Sequence, residues 1–206
     1  MLFRNLAIEQ AENILWNTAV RLGKPLAYLG ERNGKIIHDI KPFHGYENTK
    51  TSKGSNVAIG LHTEMAFHKV RPKYVLLFCI RNFFTHTYFL SHEDIVKKLH
   101  PITKKILKKP DFCIHPPQSF LLSYPLQWNP ILINPFQLVM ANHCDIEFRD
   151  VDAKKAYENL REVSESNKNS FILRSGDLWI INNEAIVHGR SAQVHPHRLL
   201  KRMYVL

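Results

Sequence analysis

The most informative stretch of the sequence places a histidine and a glutamate two residues apart, in His62-Thr63-Glu64. Alternate side chains of a β-strand point to the same face, so on a strand His62 and Glu64 would converge on one point. One imidazole and one carboxylate are two thirds of a 2-His-1-carboxylate triad, which holds Fe(II) on one side and leaves the opposite positions open. His68 has the same parity but lies too far along the strand to reach the same ion.

Two other metal chemistries use neighbouring His and Glu residues, and both need partners that this sequence lacks. The HxE pair of zinc deaminases requires a downstream PCxxC, which is absent. The HExxH helix of zinc proteases is absent as well. Taken alone, the pair is also compatible with an ordinary surface or core contact.

A second histidine ligand must come from elsewhere, and His188 in DLWIINNEAIVHGRS is the candidate. The local pattern predicts a strand, a tight turn at the two asparagines and a short strand that delivers His188. A histidine at the mouth of a barrel, bonded to a neighbour, is the alternative. His195 and His197 are rival ligands, but Pro196 between them and their polar surroundings indicate a loop.

Two arginines near the carboxyl terminus, Arg198 and Arg202, would share one face of a final strand because they are four residues apart. Arginine is well suited to bind a carboxylate with two hydrogen bonds in a partly buried site. A 2-oxo-dicarboxylate that chelates iron at one end would need such a partner at the other. A surface salt bridge is the alternative for either residue.

Apolar spacing and turn residues predict many short strands and a few helices. We expect a helix over 6–22 that ends at Gly23, and a hairpin at Asn33-Gly34 between extended segments 25–29 and 35–40. Helices are expected after a Ser91 cap, from Pro101, and over 152–165 with Asp152 as N-cap. The other expected strands are 56–64, 73–81, 85–90, 170–173, 177–181, 185–188 and 199–205. This order predicts a β-sandwich or small barrel with helices outside it, and argues against a doubly wound sheet.

Length and composition bound the class of protein. The 206 residues, 45% of them hydrophobic, predict a single domain over 1–206. Three cysteines without a CxxC pair argue against a disulfide scaffold and favour a reducing compartment, the cytoplasm. No apolar run reaches the roughly 18 residues of a membrane span, and the amino terminus lacks the apolar core of a signal peptide. The net charge of +10 points to polyanionic partners, without indicating any chemistry.

Taken together, these segments resemble one enzyme family. His62-Thr63-Glu64 followed by MAFHKVRPKYVLLFCIR, the segment DLWIINNEAIVHGRS and the later RLLKR are similar to the clavaminate synthase-like oxygenases, which include arginine and asparagine hydroxylases. These belong to the taurine dioxygenase-like Fe(II)/2-oxoglutarate oxygenases. The similarity runs from about residue 22 to the end. It implies a mainly β fold with flanking helices and a double-stranded β-helix (jelly-roll) core.

The resemblance also implies roles for individual residues. His62, Glu64 and His188 would hold iron, with 2-oxoglutarate as co-substrate and O₂ as oxidant. Arg202 would bind the far carboxylate of 2-oxoglutarate, because it follows His188 by 14 residues, as the corresponding arginine does in this subgroup. Thr87, with Thr85 as the alternative, would help to bind that carboxylate, and Arg198 would support it.

The implied activity is hydroxylation of an unactivated C–H bond in a free or carrier-bound amino acid-like small molecule, with release of succinate and CO₂. An acidic residue near iron would then meet an ammonium or guanidinium group, and Asp145 in DIEFRD is the candidate; a solvated strand end is the alternative. Members of the family carry a longer amino-terminal region. The chain is therefore expected to be either a compact member or a fragment of a longer gene, in which iron binding could survive without activity.

Two other functions stay open from the sequence. The first is a catalytically silent relative that binds metal and a small carboxylate. The second is a nucleic-acid binder, indicated by a basic run with six lysines: Lys97, Lys98, Lys104, Lys105, Lys108 and Lys109. That run has no interleaved aromatic residues, and its lysines recur around apolar positions, which is typical of the solvated side of amphipathic helices. The lysine pattern argues against nucleic acid as the partner. The lack of a long apolar run predicts no membrane association, and the sequence leaves the oligomeric state open.

Overall fold

The computed structural model describes residues 1–117, 120, 122 and 124–206. In this part of the chain there are four α-helices: α1 (Ala11–Leu22), α2 (His92–Lys98), α3 (Pro101–Leu107) and α4 (Val151–Asn167). The strands are β1 (Leu2–Phe3), β2 (Pro25–Leu26), β3 (Ile37–Ile40), β4 (Ile59–His62), β5 (Tyr74–Arg81), β6 (Thr87–Ser91), β7 (Phe112–Ile114), β8 (Trp128–Asn129), β9 (Leu132–Asn134), β10 (Gln137–Leu138), β11 (Ile146–Phe148), β12 (Asn169–Phe171), β13 (Leu178–Asn182), β14 (Ile186–Arg190) and β15 (Leu199–Val205).

Two antiparallel sheets form the centre of the molecule. The larger has the order β1-β13-β5-β15-β2, with β3 also paired to β15, and the smaller has the order β12-β6-β14-β4. Strands β13 and β14 are joined by a short turn but belong to different sheets, so the chain crosses between the layers there. Two small sheets, β11-β7-β8 and β10-β9, lie outside this pair. The fold is mainly β with few helices, as the strand pattern predicts.

The alternation of side chains along β5 shows how the layers are held together. Val75 and Leu77 belong to the apolar core between the two sheets, where Phe89 and Ile186 of the smaller sheet meet them. Leu76 on the opposite face packs in a separate cluster with α1. Helix α1 buries residues four apart on one stripe: Ala11, Leu15 and Ala19. A third cluster lies between the other face of the smaller sheet and α2, α3 and α4. The space between the sheets is therefore bounded on both sides by packed apolar layers.

Helix ends follow the expected chemistry with two corrections, the first of which is that α1 begins at Ala11 and not at residue 6. Gly23 follows the last residue of α1, and Ser91 Oγ accepts a hydrogen bond from the Asp94 amide at 3.0 Å at the start of α2. The N-cap of α4 is Asp150 and not Asp152, because the Asp150 side chain accepts from the Ala153 amide at 2.7 Å. Asp152 lies in the first turn instead, where its negative charge interacts favourably with the positive end of the helix dipole.

The hairpin expected at Asn33-Gly34 does not form. Residues Arg32–Gly34 make a 3-10 turn, and β2 and β3 pair with β15 instead of with each other. Both short strands use successive stretches of the same long partner: Leu26 pairs with Tyr204, and Ile37 with Met203. Three residues with positive φ, Arg32, Asn33 and Gly34, lie in the turn between these two strands, which both pair along β15.

The lysine-rich run occupies the outer side of α2 and α3. Ile95, Val96 and Leu107 of these helices are buried. Lys97 and Lys98 are exposed, and the Lys97 ammonium pairs with Glu93 at 2.7 Å. The prediction of a solvated helix side is confirmed for Lys97, Lys98 and Lys105. Lys104 is half-buried, and Lys108 and Lys109 follow the end of α3.

Among the described residues, none of the helices is both long and apolar enough to cross a membrane.

Candidate metal centre and cavity

The two histidines expected to bind metal come from neighbouring strands of the smaller sheet. His62 ends β4, and His188 lies directly opposite it on β14. Their ring centroids are 4.5 Å apart, and both residues are buried. Val187, the neighbour of His188, points into the cluster under the helices, so the strand directs His188 to the space between the sheets. The rival ligand His195 is outside every group of metal-ligating side chains found in the described residues, and so is His197.

Glu64 reaches the same point from beyond the strand. Strand β4 ends at His62, so the strand expected over 56–64 is shorter than predicted, and the chain turns at Met65, whose φ is 55°. The Asn183 side chain fixes this turn: its Oδ1 accepts from the Glu64 amide at 2.8 Å, and its Nδ2 donates to the Glu64 carbonyl at 3.2 Å. The expected convergence of His62 and Glu64 is therefore present, but a turn and an asparagine produce it.

The donor atoms of the three residues face one another. Glu64 Oε2 lies 3.6 Å from His62 Nε2 and 3.3 Å from His188 Nε2. His62 Nδ1 is 2.9 Å from the Gly60 carbonyl and donates to it, which leaves the Nε2 lone pair free for a metal. Two imidazoles and one carboxylate on one side of a cavity are the donor set of non-haem Fe(II) sites, so these residues fit that ion.

Charges around the triad favour the protonation states that bind metals. Burial alone would raise the pKa of Glu64, but Arg202 and hydrogen bonds with His188 and His62 outweigh burial and hold that pKa well below its usual range. Burial, together with the neighbouring His62, lowers the pKa of His188. The structure therefore keeps Glu64 as a carboxylate and His188 as a neutral imidazole at neutral pH.

Arg202 extends from β15 toward the triad and is engaged by several partners. Its Nη1 donates to Glu64 Oε1 at 2.9 Å, and Tyr204 donates to the same oxygen at 2.7 Å. Its Nη2 pairs with the Glu31 carboxylate and lies 3.0 Å from His38 Nδ1. Burial would lower the pKa of Arg202, but Glu31, Tyr204 and Glu64 raise it, so Arg202 is a permanent cation.

Arg198 lines the same cavity as Arg202 but, among the described residues, has no such partners. It directly precedes β15, is 4% exposed, and lines a cavity with Thr87 and His188. Among the described residues its guanidinium has no hydrogen bond or ion pair, and its buried Nε has no partner. Burial lowers the pKa of Arg198 to about 10, which leaves it charged at neutral pH. Thr87 is 4% exposed, whereas the alternative Thr85 is fully buried and does not line this cavity.

The cavity in front of the triad, about 380 Å³ in volume, contains two groups that the sequence patterns did not single out. Glu31 lines it beside Arg202, and His143 lies against His62 with ring centroids 4.3 Å apart. Asp145, the expected substrate acid, is exposed and does not line this cavity, because its carbonyl pairs with the His115 amide and its side chain faces solvent. Glu31 sits in a polar turn whose residue types carry no catalytic pattern, so only the fold could reveal it.

A loop over residues 49–53 covers one side of this cavity and is held by Arg190 at the end of β14. The Arg190 guanidinium donates to four backbone carbonyls: Thr51 at 3.2 Å, Gly54 at 2.7 Å, Val57 at 2.9 Å and Ser191 at 2.9 Å. Three of these carbonyls belong to the loop and its exit. The strand that carries His188 therefore also fixes the wall of the cavity.

Arg190→Lys should release this loop, because an ammonium cannot reach four carbonyls in the planar geometry of a guanidinium. We expect trypsin to cleave after Lys50 or Lys53 at least about tenfold faster, since each lost hydrogen bond contributes on the order of 1 kcal/mol. Arg161→Lys, on the exposed side of α4, is the matched control. Equal cleavage rates in both variants would show that Arg190 does not hold the loop.

Comparisons with known proteins agree with this geometry. The chain is 32% identical to an L-asparagine oxygenase from Streptomyces coelicolor over 210 residues, which cover 94% of this chain and 61% of that protein. A solved asparagine oxygenase in complex with Fe(II), 2S,3S-3-hydroxyasparagine and succinate has a TM-score of 0.86 and 30% identity, covering 95% of this chain and 64% of that one.

A second solved structure carries a different product. The non-haem iron oxygenase OrfP, in complex with Fe, succinate and (3S)-hydroxy-L-Arg, has a TM-score of 0.82 and 26% identity, covering 94% of this chain and 66% of that one. No protein-family model matches the sequence. The chain thus spans about three fifths of the length of its curated relative. The resemblance seen in the sequence motifs is confirmed.

Proposed function

We propose that the chain is an Fe(II)- and 2-oxoglutarate-dependent dioxygenase. It is similar to asparagine oxygenase and to the non-haem iron oxygenase OrfP. It would hydroxylate an unactivated C–H bond of a free or carrier-bound amino acid-like small molecule and release succinate and CO₂. The observation that carries this proposal is the convergence of His62, Glu64 and His188 beside two buried arginines.

We also infer that the two central sheets are the halves of a double-stranded β-helix. Two facing antiparallel sheets, with a chain that crosses between them from β13 to β14, support this interpretation. In such a fold the space between the sheets can hold a small ligand. The triad and both arginines line that space here.

The three proposed ligands would contribute differently to metal binding. Glu64 would supply the single negative charge, and the two neutral imidazoles would complete the set. The Gly60 carbonyl orients His62, and Asn183 fixes the backbone of Glu64. When bound, Fe(II) would supply the activation of O₂ that hydroxylation of an unactivated C–H bond requires.

Arg198 and Thr87 are the best placed residues to bind the far carboxylate of 2-oxoglutarate. Both line the cavity beside His188, and a buried arginine without an anionic partner among the described residues is ready to accept one. Arg202, expected in this role from its distance of 14 residues to His188, is already paired with Glu31 and Glu64. We therefore assign the co-substrate to Arg198 and Thr87, and a different task to Arg202.

Arg202 and Glu31 would together bind the substrate. The α-ammonium and α-carboxylate of an amino acid carry the same two charges as the Glu31–Arg202 pair. An amino acid that enters the cavity could place its ammonium on Glu31 and its carboxylate on Arg202, so each buried charge would exchange one partner for another. Glu31 thereby takes the role expected for Asp145.

The proposal is tested by a screen for succinate release with anaerobically Fe(II)-loaded protein, 2-oxoglutarate and O₂ over the free amino acids. At least one amino acid should raise the basal rate, and the rate should require Fe(II) and vanish in His62→Ala. His195→Ala, which removes a histidine outside the triad, should keep full activity. Binding of metal and 2-oxoglutarate without turnover for any amino acid would instead identify a silent relative.

A further inference from the structure

A second group of metal-ligating side chains lies away from the cavity, on the sheet formed by β11, β7 and β8. Within the residues that the structure describes, Cys113, His115 and Glu147 have ligand atoms that all lie within 4.8 Å of one another. His115 Nε2 and Glu147 Oε2 are 3.6 Å apart. None of the three residues lines the cavity at the triad.

The strand ladder holds these side chains on one face. Cys113 and His115 are two residues apart on and just after β7, so they point to the same side, while Phe112 and Ile114 point into the core. Glu147 on β11 lies directly opposite Cys113. The His115 amide donates to the Asp145 carbonyl at 2.9 Å and extends the same ladder. The arrangement therefore rests on backbone pairing, which fixes the spacing of the three residues along and across the strands.

From these contacts we propose that Cys113, His115 and Glu147 form a binding site for a borderline divalent cation such as Zn²⁺, with a fourth position open to water. A thiolate, an imidazole and a carboxylate are the three ligand types that zinc accepts. The Cys113 residue is 4% exposed, whereas the His115 and Glu147 side chains are 41% and 60% exposed, so an ion can enter from solvent on their side.

The positive charge nearest to Glu147 in sequence has partners of its own. Arg149, two residues from Glu147, is engaged by Asp111 at 3.2 Å and lies over the Trp128 ring at 4.6 Å, so it does not neutralise Glu147. Burial and the Glu147 carboxylate raise the pKa of the Cys113 thiol. A cation bound by both groups offsets the repulsion between the Cys113 thiolate and the Glu147 carboxylate. Binding releases the thiol proton to solvent, so the affinity for the cation should rise with pH.

Co(II) titration of the full chain separates this site from the triad, because only a site with a cysteine ligand produces a thiolate-to-cobalt charge-transfer band. We expect this band to reach the intensity of one thiolate-bound cobalt ion per chain, to remain in His62→Ala and to disappear when Zn²⁺ is added. It should be lost in Cys113→Ser, and the affinity should fall at least tenfold in His115→Ala and in Glu147→Gln.

Cys144→Ser is the matched control, because Cys144 belongs to neither group of metal-ligating side chains found in the described residues. The band should persist in that variant. Absence of the band in the wild-type chain, its persistence in Cys113→Ser, or unchanged affinity in both His115→Ala and Glu147→Gln would overturn the proposal. The last two variants change exposed side chains, so they test the site even if Cys113→Ser folds poorly.

Discussion

Arg198→Gln should raise the Kd and the KM for 2-oxoglutarate at least about 30-fold, since loss of a buried charge pair costs about 2 kcal/mol or more. The glutamine keeps a hydrogen-bond donor and much of the side-chain volume, so packing around β15 should survive. Two measurements check the effect: anaerobic titration of the Fe(II)-loaded protein with 2-oxoglutarate, and initial rates of succinate release at varied 2-oxoglutarate. The kcat at saturating co-substrate should fall much less than kcat/KM.

Arg202→Gln is the matched comparison, because both arginines are buried in the same cavity. In that variant we expect the larger change in the KM of the amino acid and a smaller one for 2-oxoglutarate. Metal content must be measured in parallel, since Arg202 also contacts Glu64. If Arg202→Gln weakened 2-oxoglutarate more than Arg198→Gln did, the far carboxylate would lie on Arg202, as the spacing of 14 residues implies.

Gly189→Ala should weaken metal binding by about 10- to 100-fold, the range seen when groups that orient metal ligands are lost. A Cβ at residue 189 would lie 2.5 Å from the Ile59 carbonyl oxygen and 3.0 Å from the Gly60 carbonyl. These are backbone atoms of β4, so β4 must move away from β14, and His62 moves with it. Titration of the metal-free protein with Fe(II) or Co(II) under anaerobic conditions measures the loss.

Val187→Ala separates this effect from general destabilisation. Val187 is fully buried on the opposite side of β14, so its truncation should lower the free energy of unfolding by about 2 kcal/mol while metal affinity stays nearly unchanged. Urea unfolding of both variants supplies the comparison. Equal metal affinities in Gly189→Ala and the wild-type chain would mean that β4 and β14 can separate without moving the ligands.

Long apolar strands were predicted well from the sequence, because both faces of β5 and β15 are buried. The expected segments 73–81 and 199–205 nearly coincide with Tyr74–Arg81 and Leu199–Val205. The short strands β2 and β3 were expected as a hairpin, because an Asn-Gly turn does not reveal which neighbour the flanking strands pair with. Their partner β15 lies far away in sequence.

The convergence of His62, Glu64 and His188 could be predicted, because their residue types carry the chemistry of a metal site and the motifs around them are specific. The assignment of Arg198 and Arg202 could not be decided in the same way, since both share one strand parity and each fits a carboxylate. Only their partners distinguish them: Arg202 contacts Glu31 and Glu64, and Arg198 contacts no anion in the described part of the chain. Glu31 had no sequence signal at all, because long-range folding alone brings its turn to the cavity.

The Glu31–Arg202 ion pair has a consequence for selectivity. Without substrate, the two charges satisfy each other inside a partly buried site. An amine without a carboxylate, or a carboxylate without an amine, would separate the pair and leave one member uncompensated, at a cost of about 3–5 kcal/mol. Under the proposed function, an amino acid would replace both partners at once and avoid this cost. The cavity would therefore reject singly charged analogues before the shape of their side chains matters.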